Sequence, residues 1–353
     1  MTSADTRDPN GEPAAAGLQI PAPGELPAHQ HVHGEHKAKP TLKSRLSVGF
    51  RFLLIAFALL FAVLFVSDKW SDVVVALSHL SFPMVFLSFV TVMAGILCGL
   101  MSWQVLLEHL GPKVGVLRGA QIFLVGSIGK YVPGSVWAYV LQIELGSRYG
   151  VARARVFATT LFSVAVAAVG SLLAGGLIVP LLAANQPIFL WLYALLPIGL
   201  ILLHPWVLTR LARLGFKLLR KPKPDHGLGY KVVTQSLCWA LAAYVLYGVH
   251  LYLMATSLGF AGVGELGMSI GAMGIGMIAG LLAFFLPSGL GAREAIIVLV
   301  LGPTVGVGTA TAFALLSRVM FTIADLAMAS AGALTAVRQR RHQSPLHISA
   351  DDD

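Results

Sequence analysis

Apolar runs of bilayer length recur along the chain, and short polar segments separate them. Predominantly apolar runs cover about residues 48–66, 82–103, 156–179, 188–204, 232–257 and 309–336. A helix needs roughly 20 mostly apolar residues to cross hydrocarbon, so each reads as a span. Two further stretches, 119–145 and 266–301, are equally apolar but interrupted, the first at Pro133 and Gly134 and the second at Pro287, Ser288 and Gly289. Residues 1–42 show no such pattern. They are rich in Pro, Ala, Gly and His, and a segment that buries so little apolar surface is predicted to be disordered.

The polar segments orient the spans. Lys37, Lys39, Lys43, Arg45 and Arg51 precede or open the first run, which puts the N-terminus in the cytoplasm, with Asp68, Lys69 and Asp72 outside. If 119–145 crossed, Arg148, Arg153 and Arg155 would lie outside. So would the most basic loop, which holds Arg210, Arg213, Lys217, Arg220, Lys221, Lys223 and Lys231. If it instead turns back at Pro133 and Gly134, every basic loop falls inside. The same reasoning applies to 266–301, because Arg338, Arg340 and Arg341 place the end of the last span inside. The fold class is therefore an all-α polytopic membrane protein with about six full spans plus two opposed re-entrant helical hairpins. Each hairpin precedes a full span, the pattern of an inverted repeat whose broken helices meet near the midplane. The alternative is eight full spans. Gly95 and Gly99, and then Gly267, Gly271, Gly276 and Gly280, are expected to let helices pack closely.

Composition agrees. Of 353 residues, 56% are hydrophobic and 12% charged, whereas soluble domains carry about 25% charged residues. The formal net charge of +9 is concentrated in loops beside the spans, so it reads as a topology signal and not as a nucleic-acid surface. Cys98 and Cys238 both fall in apolar runs and make no disulfide or metal pattern. His29, His31, His33, Glu35 and His36 could hold zinc or nickel, but nothing completes a site, and a solvated tail is the favoured reading. No metal and no cofactor is expected. The organisation is a tail (1–42), a membrane domain (43–337) and a short cytoplasmic tail (338–353). The first span serves as its own insertion signal, in a cell (inner or plasma) membrane.

The two interruptions carry the chemistry. Gly129, Lys130, Tyr131, Val132, Pro133, Gly134, Ser135, Val136 and Trp137 form the first. Leu286, Pro287, Ser288, Gly289, Leu290, Gly291, Ala292, Arg293 and Glu294 form the second. A helix broken at membrane depth frees backbone groups that hydrocarbon cannot satisfy, so breaks occur beside protein or a water-filled cavity. A charge at that depth marks a functional site. In this order and at this separation, Gly129, Lys130, Tyr131, Pro133, Gly134 and Trp137, then Pro287, Gly289, Gly291, Arg293 and Glu294, resemble the transmembrane flippase-like domain of lysylphosphatidylglycerol synthases. The likeness covers about residues 46–337. It implies movement of a phospholipid or other polar lipid between leaflets. It does not imply synthesis: in bifunctional members a soluble domain after the membrane part transfers an aminoacyl group from tRNA, and only about a dozen residues follow the last arginine here. A transporter is expected, not an enzyme, with a separate lipid-modifying enzyme as a candidate partner.

The residues suggest how such a site would work. Proline suits the first turn of a helix, so Pro133 and Pro287 are expected to begin second half-helices, with Ser288 as an N-cap. Two helix N-termini would then offer N–H groups to an anion, flanked by Lys130 and Arg293. Arg grips phosphate through a planar fork, and Lys acts as a point charge. Arg318 and Asp325, two turns apart on one face, are expected to line the same cavity. Glu294 is expected to pair with Arg318 or take up a coupling proton, and not to face its neighbour Arg293. A structural ion-pair cluster is the competing reading for Glu294, Arg318 and Asp325. Glu144 and Arg148 read as an interfacial pair, and His250 as a hydrogen-bonded packing residue. Trp103, Trp191, Trp206, Trp239, Tyr139, Tyr193 and Tyr244 read as interface aromatics. The rival functions are an ion-coupled solute transporter and a membrane enzyme acting on a lipid-linked substrate. The second lacks the clustered acids that a metal-dependent transferase needs.

Overall fold

The computed structural model describes residues 67, 70–132, 136–178, 197, 201, 204, 206–207, 210, 229–283 and 286–343, all within the unit Gly49–Asp353. Among these residues the ordered structure is helical and contains no strand. The helices are α1 (Trp70–Ser78), α2 (Phe82–His109), α3 (Val116–Ser127), α4 (Trp137–Arg148), α5 (Arg153–Gly175), α6 (Tyr230–Thr256), α7 (Val263–Leu282), α8 (Ala292–Val305) and α9 (Val307–Gln343). Single 3-10 turns, Ile128–Tyr131 and Pro287–Gly289, lie between α3 and α4 and between α7 and α8.

Four expected spans are thus helices α2, α5, α6 and α9. The runs 48–66 and most of 188–204, the tail 1–42 and residues 133–135 lie outside the described residues. By length and composition α2, α5, α6, α7 and α9 as far as Gln339 can cross a membrane. Their outward faces stay apolar, with Phe82 and Phe86 on α2 and Val319, Ile323 and Leu326 on α9 exposed. A large apolar surface of this kind suits lipid and not water. α9 continues past residue 337, where the cytoplasmic tail was expected to begin.

Neither interrupted stretch is one helix. α3 and α4 have 12 residues each, about 18 Å, well short of the hydrocarbon core of about 30 Å. The chain doubles back, and glycines set how closely. A Cβ added at Gly129 would lie 2.5 Å from the Ala138 amide nitrogen, and one at Gly289 would lie 2.5 Å from Gly280 Cα. Gly289 also has φ 62°, a conformation costly for residues with a Cβ.

The packing repeats between the two halves. α2 lies antiparallel against α6, with Ser102 and Ser236 each donating to the other's carbonyl at 2.9 Å. α3 packs on α9 as α7 packs on α5, and α4 packs on α5 as α8 packs on α9. Exchanging α2 with α6, α3 with α7, α4 with α8 and α5 with α9 leaves these pairings unchanged. Ser171 donates to the Gly274 carbonyl between α5 and α7, and Gln121 bonds Thr335 and Gln339 between α3 and α9. Of the expected close-packing glycines, Gly95 meets Tyr247 and Gly271 meets Ile178, whereas Gly267 has no neighbour within 4 Å.

Two aromatic expectations need correction. Trp103 is buried with Leu107, Ile122 and Val156 and donates to Thr160 Oγ1 at 3.3 Å, and Tyr244 is buried and donates to the Ala167 carbonyl at 2.8 Å. Each polar tip found a protein partner, so neither ring needs the membrane interface. Trp191 and Tyr193 lie outside the described residues. His250 is buried, with Nδ1 2.5 Å from Ser88 Oγ.

Candidate functional site

The two 3-10 turns touch each other, although they come from different halves of the chain. Beside them lies a cavity of about 400 Å³. Lys130, Arg293, Arg318 and Asp325 supply the charges of its wall, Tyr131, Gln142, Ser288 and Thr322 are among its polar lining, and aromatic residues such as Tyr247 and Phe321 alternate with small ones such as Gly99 and Ala243.

α9 holds both hairpins through that wall. Asp325, 5% exposed, takes Lys130 Nζ at 2.7 Å and the Tyr131 hydroxyl at 2.6 Å on the same oxygen, Oδ2. This ties the first hairpin to α9. Arg318, two turns earlier on α9, donates to Glu294 Oε1 at 2.9 Å, which ties the second hairpin to it. Among the described residues three cations, Lys130, Arg293 and Arg318, face two carboxylates, Asp325 and Glu294. Lys130 is a third exposed, whereas Arg293 is 8% exposed. The Arg293 guanidinium lies over the Phe321 ring at 4.7 Å, and its Nε–H is buried with no hydrogen-bond partner among the described residues. Desolvated cation–π contacts of this kind are worth up to about 2 kcal/mol and fix the plane of the fork.

Three expectations about the second break are corrected. α8 begins at Ala292, five residues after Pro287, so Pro287 does not open it. Ser288 is not its N-cap: it sits at φ 50°, ψ 34° inside the turn, and Gly291 is the capping residue. One N–H at this helix end is engaged, because the Gly291 amide donates to Glu294 Oε2 at 2.8 Å. Glu294 also reaches Arg293, at 3.4 Å, despite adjacency in sequence. In the first turn of a helix a long side chain can curl back over the cap, which brings it beside its neighbour.

The structure brings Lys130, Tyr131, Ser288, Gly289, Arg293, Arg318 and Asp325 to one cavity. It holds Glu294 against Arg318 at the edge and Gly291 at the cap. Trp137 is not brought in: its side chain is 51% exposed, while its neighbours Val136, Ala138 and Tyr139 line the cavity. Pro133, Gly134 and Ser135 lie outside the described residues, and only the backbone of Pro287 is described. Glu144 pairs with Arg148 at 3.4 Å and with Arg153 at 3.1 Å, away from the cavity. Sequence reasoning missed Phe321, Tyr247 and Gln142. Gln142 carried a usable signal, since an amide in an apolar run must find partners. Phe321 and Tyr247 carried none, since an aromatic residue in a span looks like packing. Among the described residues no three His, Cys, Asp or Glu side chains come together as a metal site.

Residues 50–328 match the family described as the lysylphosphatidylglycerol synthase TM region. No curated protein and no solved structure shows significant similarity to the chain.

Proposed function

The chain belongs to the lysylphosphatidylglycerol synthase TM region family, and from that premise we propose that it moves a phospholipid or other polar lipid between leaflets, without synthesising it. The observation that carries this reading is the meeting of the two helix breaks at a cavity lined by Lys130, Arg293, Arg318 and Asp325, with Glu294 held against Arg318 at its edge. Ions at membrane depth are costly and rare, which favours a functional role for them. A cavity of about 400 Å³ lies within the range of roughly 300–1,000 Å³ found for small-molecule sites. It suits a headgroup while the acyl chains stay in the bilayer.

In this mechanism the carboxylates act as counter-ions for the empty site. They keep Lys130 and Arg293 from standing unpaired in a low dielectric, where an isolated charge is expensive. A headgroup phosphate entering beside Lys130 replaces the Asp325 contact and loosens the first hairpin from α9. The same phosphate meets the fork of Arg293, whose Nε–H has no partner among the described residues. The hairpins enter from opposite faces of a cell membrane and leave on the side they entered, both termini are cytoplasmic, and the halves exchange roles as access alternates. Charge placement along the chain supports this topology.

The test is leaflet exchange of fluorescent phospholipids in liposomes holding equal amounts of protein. Lys130→Ala and Arg293→Ala each slow exchange at least tenfold if the headgroup passes this site. Unchanged exchange in both variants would sink the proposal.

A further inference from the structure

The two hairpins make similar glycine contacts between their arms. Gly129 approaches Ala138 and Gly280 approaches Gly289, each pair nine residues apart. Four residues further along the chain in both cases stand Gln142, within α4, and Arg293, in the first turn of α8. A Cβ added at Gly126 would lie 2.5 Å from Gln142 Cγ, and one at Gly276 would lie 3.1 Å from Arg293 Cγ. Each side chain thus crosses a glycine on its own first arm and enters the same cavity. The match extends to the following helix. Gln142 Oε1 accepts from Thr160 Oγ1 on α5 at 3.0 Å, as the Arg293–Glu294 pair is held by Arg318 on α9. The tie is neutral in the first half and ionic in the second.

We propose that Gln142 is the first hairpin's counterpart of Arg293 and contacts the headgroup from the first hairpin. The inference rests on the cavity being the headgroup site. With Oε1 engaged by Thr160, the Gln142 amide presents N–H groups and no charge. Arg293 holds the phosphate, and Gln142 donates to a neutral oxygen attached beyond it, a hydroxyl or an ester. The preferred headgroup class is therefore a phosphodiester carrying a neutral hydrogen-bonding group, in preference to a bare phosphate monoester.

The test is calorimetric binding of two soluble probes to the purified full chain, glycerophosphoglycerol and glycerol 3-phosphate. The wild type is expected to bind glycerophosphoglycerol more tightly. Gln142→Leu is expected to reduce that preference by about five- to tenfold, the effect of one hydrogen bond, while glycerol 3-phosphate binding holds. Thr160→Val removes the internal tie together with the acceptor of the Trp103 indole N–H, and is expected to leave the preference in place. Three results would overturn the proposal: neither probe binding the wild type, an unchanged preference in Gln142→Leu, or an equal loss of preference in Thr160→Val, which would mark Gln142 as structural. Lipid exchange by the wild type in liposomes judges the translocase reading separately. Exchange with an unaltered probe preference leaves that reading standing and removes this one. Absent exchange with the expected preference does the reverse.

Discussion

Lys130 Nζ stands 2.7 Å from Asp325 Oδ2, so a residue of the first helix break is bound to the last helix of the fold. The Tyr131 hydroxyl reaches the same oxygen, which makes Asp325 the acceptor for two neighbouring residues of one turn. Removing Asp325 leaves a lysine without its counter-ion. Asp325→Ala is expected to lower stability by about 2–3 kcal/mol, because Asp325 is buried while Lys130 is a third exposed. Lys130→Ala/Asp325→Ala together should cost less than the sum of the single changes. Thermal unfolding in detergent measures both, and strict additivity would show that the pair is not coupled.

Arg293 should not be replaceable by lysine. Its fork lies over Phe321 and donates to Glu294, and an ammonium reproduces neither the plane nor the spread of donors. Arg293→Lys keeps the charge and is expected to slow lipid exchange by about tenfold or more, the loss of roughly 1.4 kcal/mol. Wild-type rates in that variant would reduce the role of Arg293 to charge alone.

The second turn should respond unequally to two similar changes. A Cβ at Gly280 would meet only Gly289 Cα at 3.7 Å, an ordinary contact, whereas one at Gly289 would press on the Gly280 backbone at 2.5 Å from a left-handed φ. Gly280→Ala is expected to be neutral or stabilising, and Gly289→Ala to lower the melting temperature and slow exchange. Equal tolerance of both would mean that the turn is looser than this contact.

Ser88 and His250 provide a structural control outside the cavity. Their buried 2.5 Å contact joins α2 to α6. Ser88→Ala strands a buried ring nitrogen and should cost about 1–2 kcal/mol, while exchange per folded molecule stays near wild type. A selective loss of exchange at unchanged stability would instead assign His250 a part in transport.

Topology can be read from single cysteines in a Cys98→Ser/Cys238→Ser background. Lys113 precedes the first hairpin and Arg148 ends it, and both are exposed. With a re-entrant hairpin, Lys113→Cys and Arg148→Cys both react with an impermeant thiol reagent from the cytoplasmic side. Labelling from opposite sides would favour a crossing and the count of eight spans.

Much of the fold was legible in the sequence, because apolar length and breaker residues act locally. Runs 82–103, 156–179, 232–257 and 309–336 became α2, α5, α6 and α9, and both interruptions fell between helices. Lys130, Arg293, Arg318 and Asp325 stood out for a similarly local reason, as charges inside apolar runs. What failed depended on detail within a turn or on distant partners. Ser288 resembles an N-cap from its type and position, but the left-handed backbone it adopts moves the cap to Gly291. Trp103 resembles an interface residue until Thr160 supplies its partner. That Asp325 would choose Lys130 and not Arg318, its neighbour on the same helix, was set by how the hairpin docks on α9, which no single segment encodes.

The central claim is that lipid headgroups cross through the cavity where the two breaks meet. The most direct test is exchange of fluorescent anionic, zwitterionic and aminoacylated phospholipids in liposomes, comparing wild type, Arg293→Ala and protein-free vesicles. Faster exchange of at least one lipid with the wild type, lost in Arg293→Ala at equal reconstitution and folding, is the predicted result. No exchange of any lipid above protein-free vesicles, or exchange indifferent to Arg293, would contradict the account.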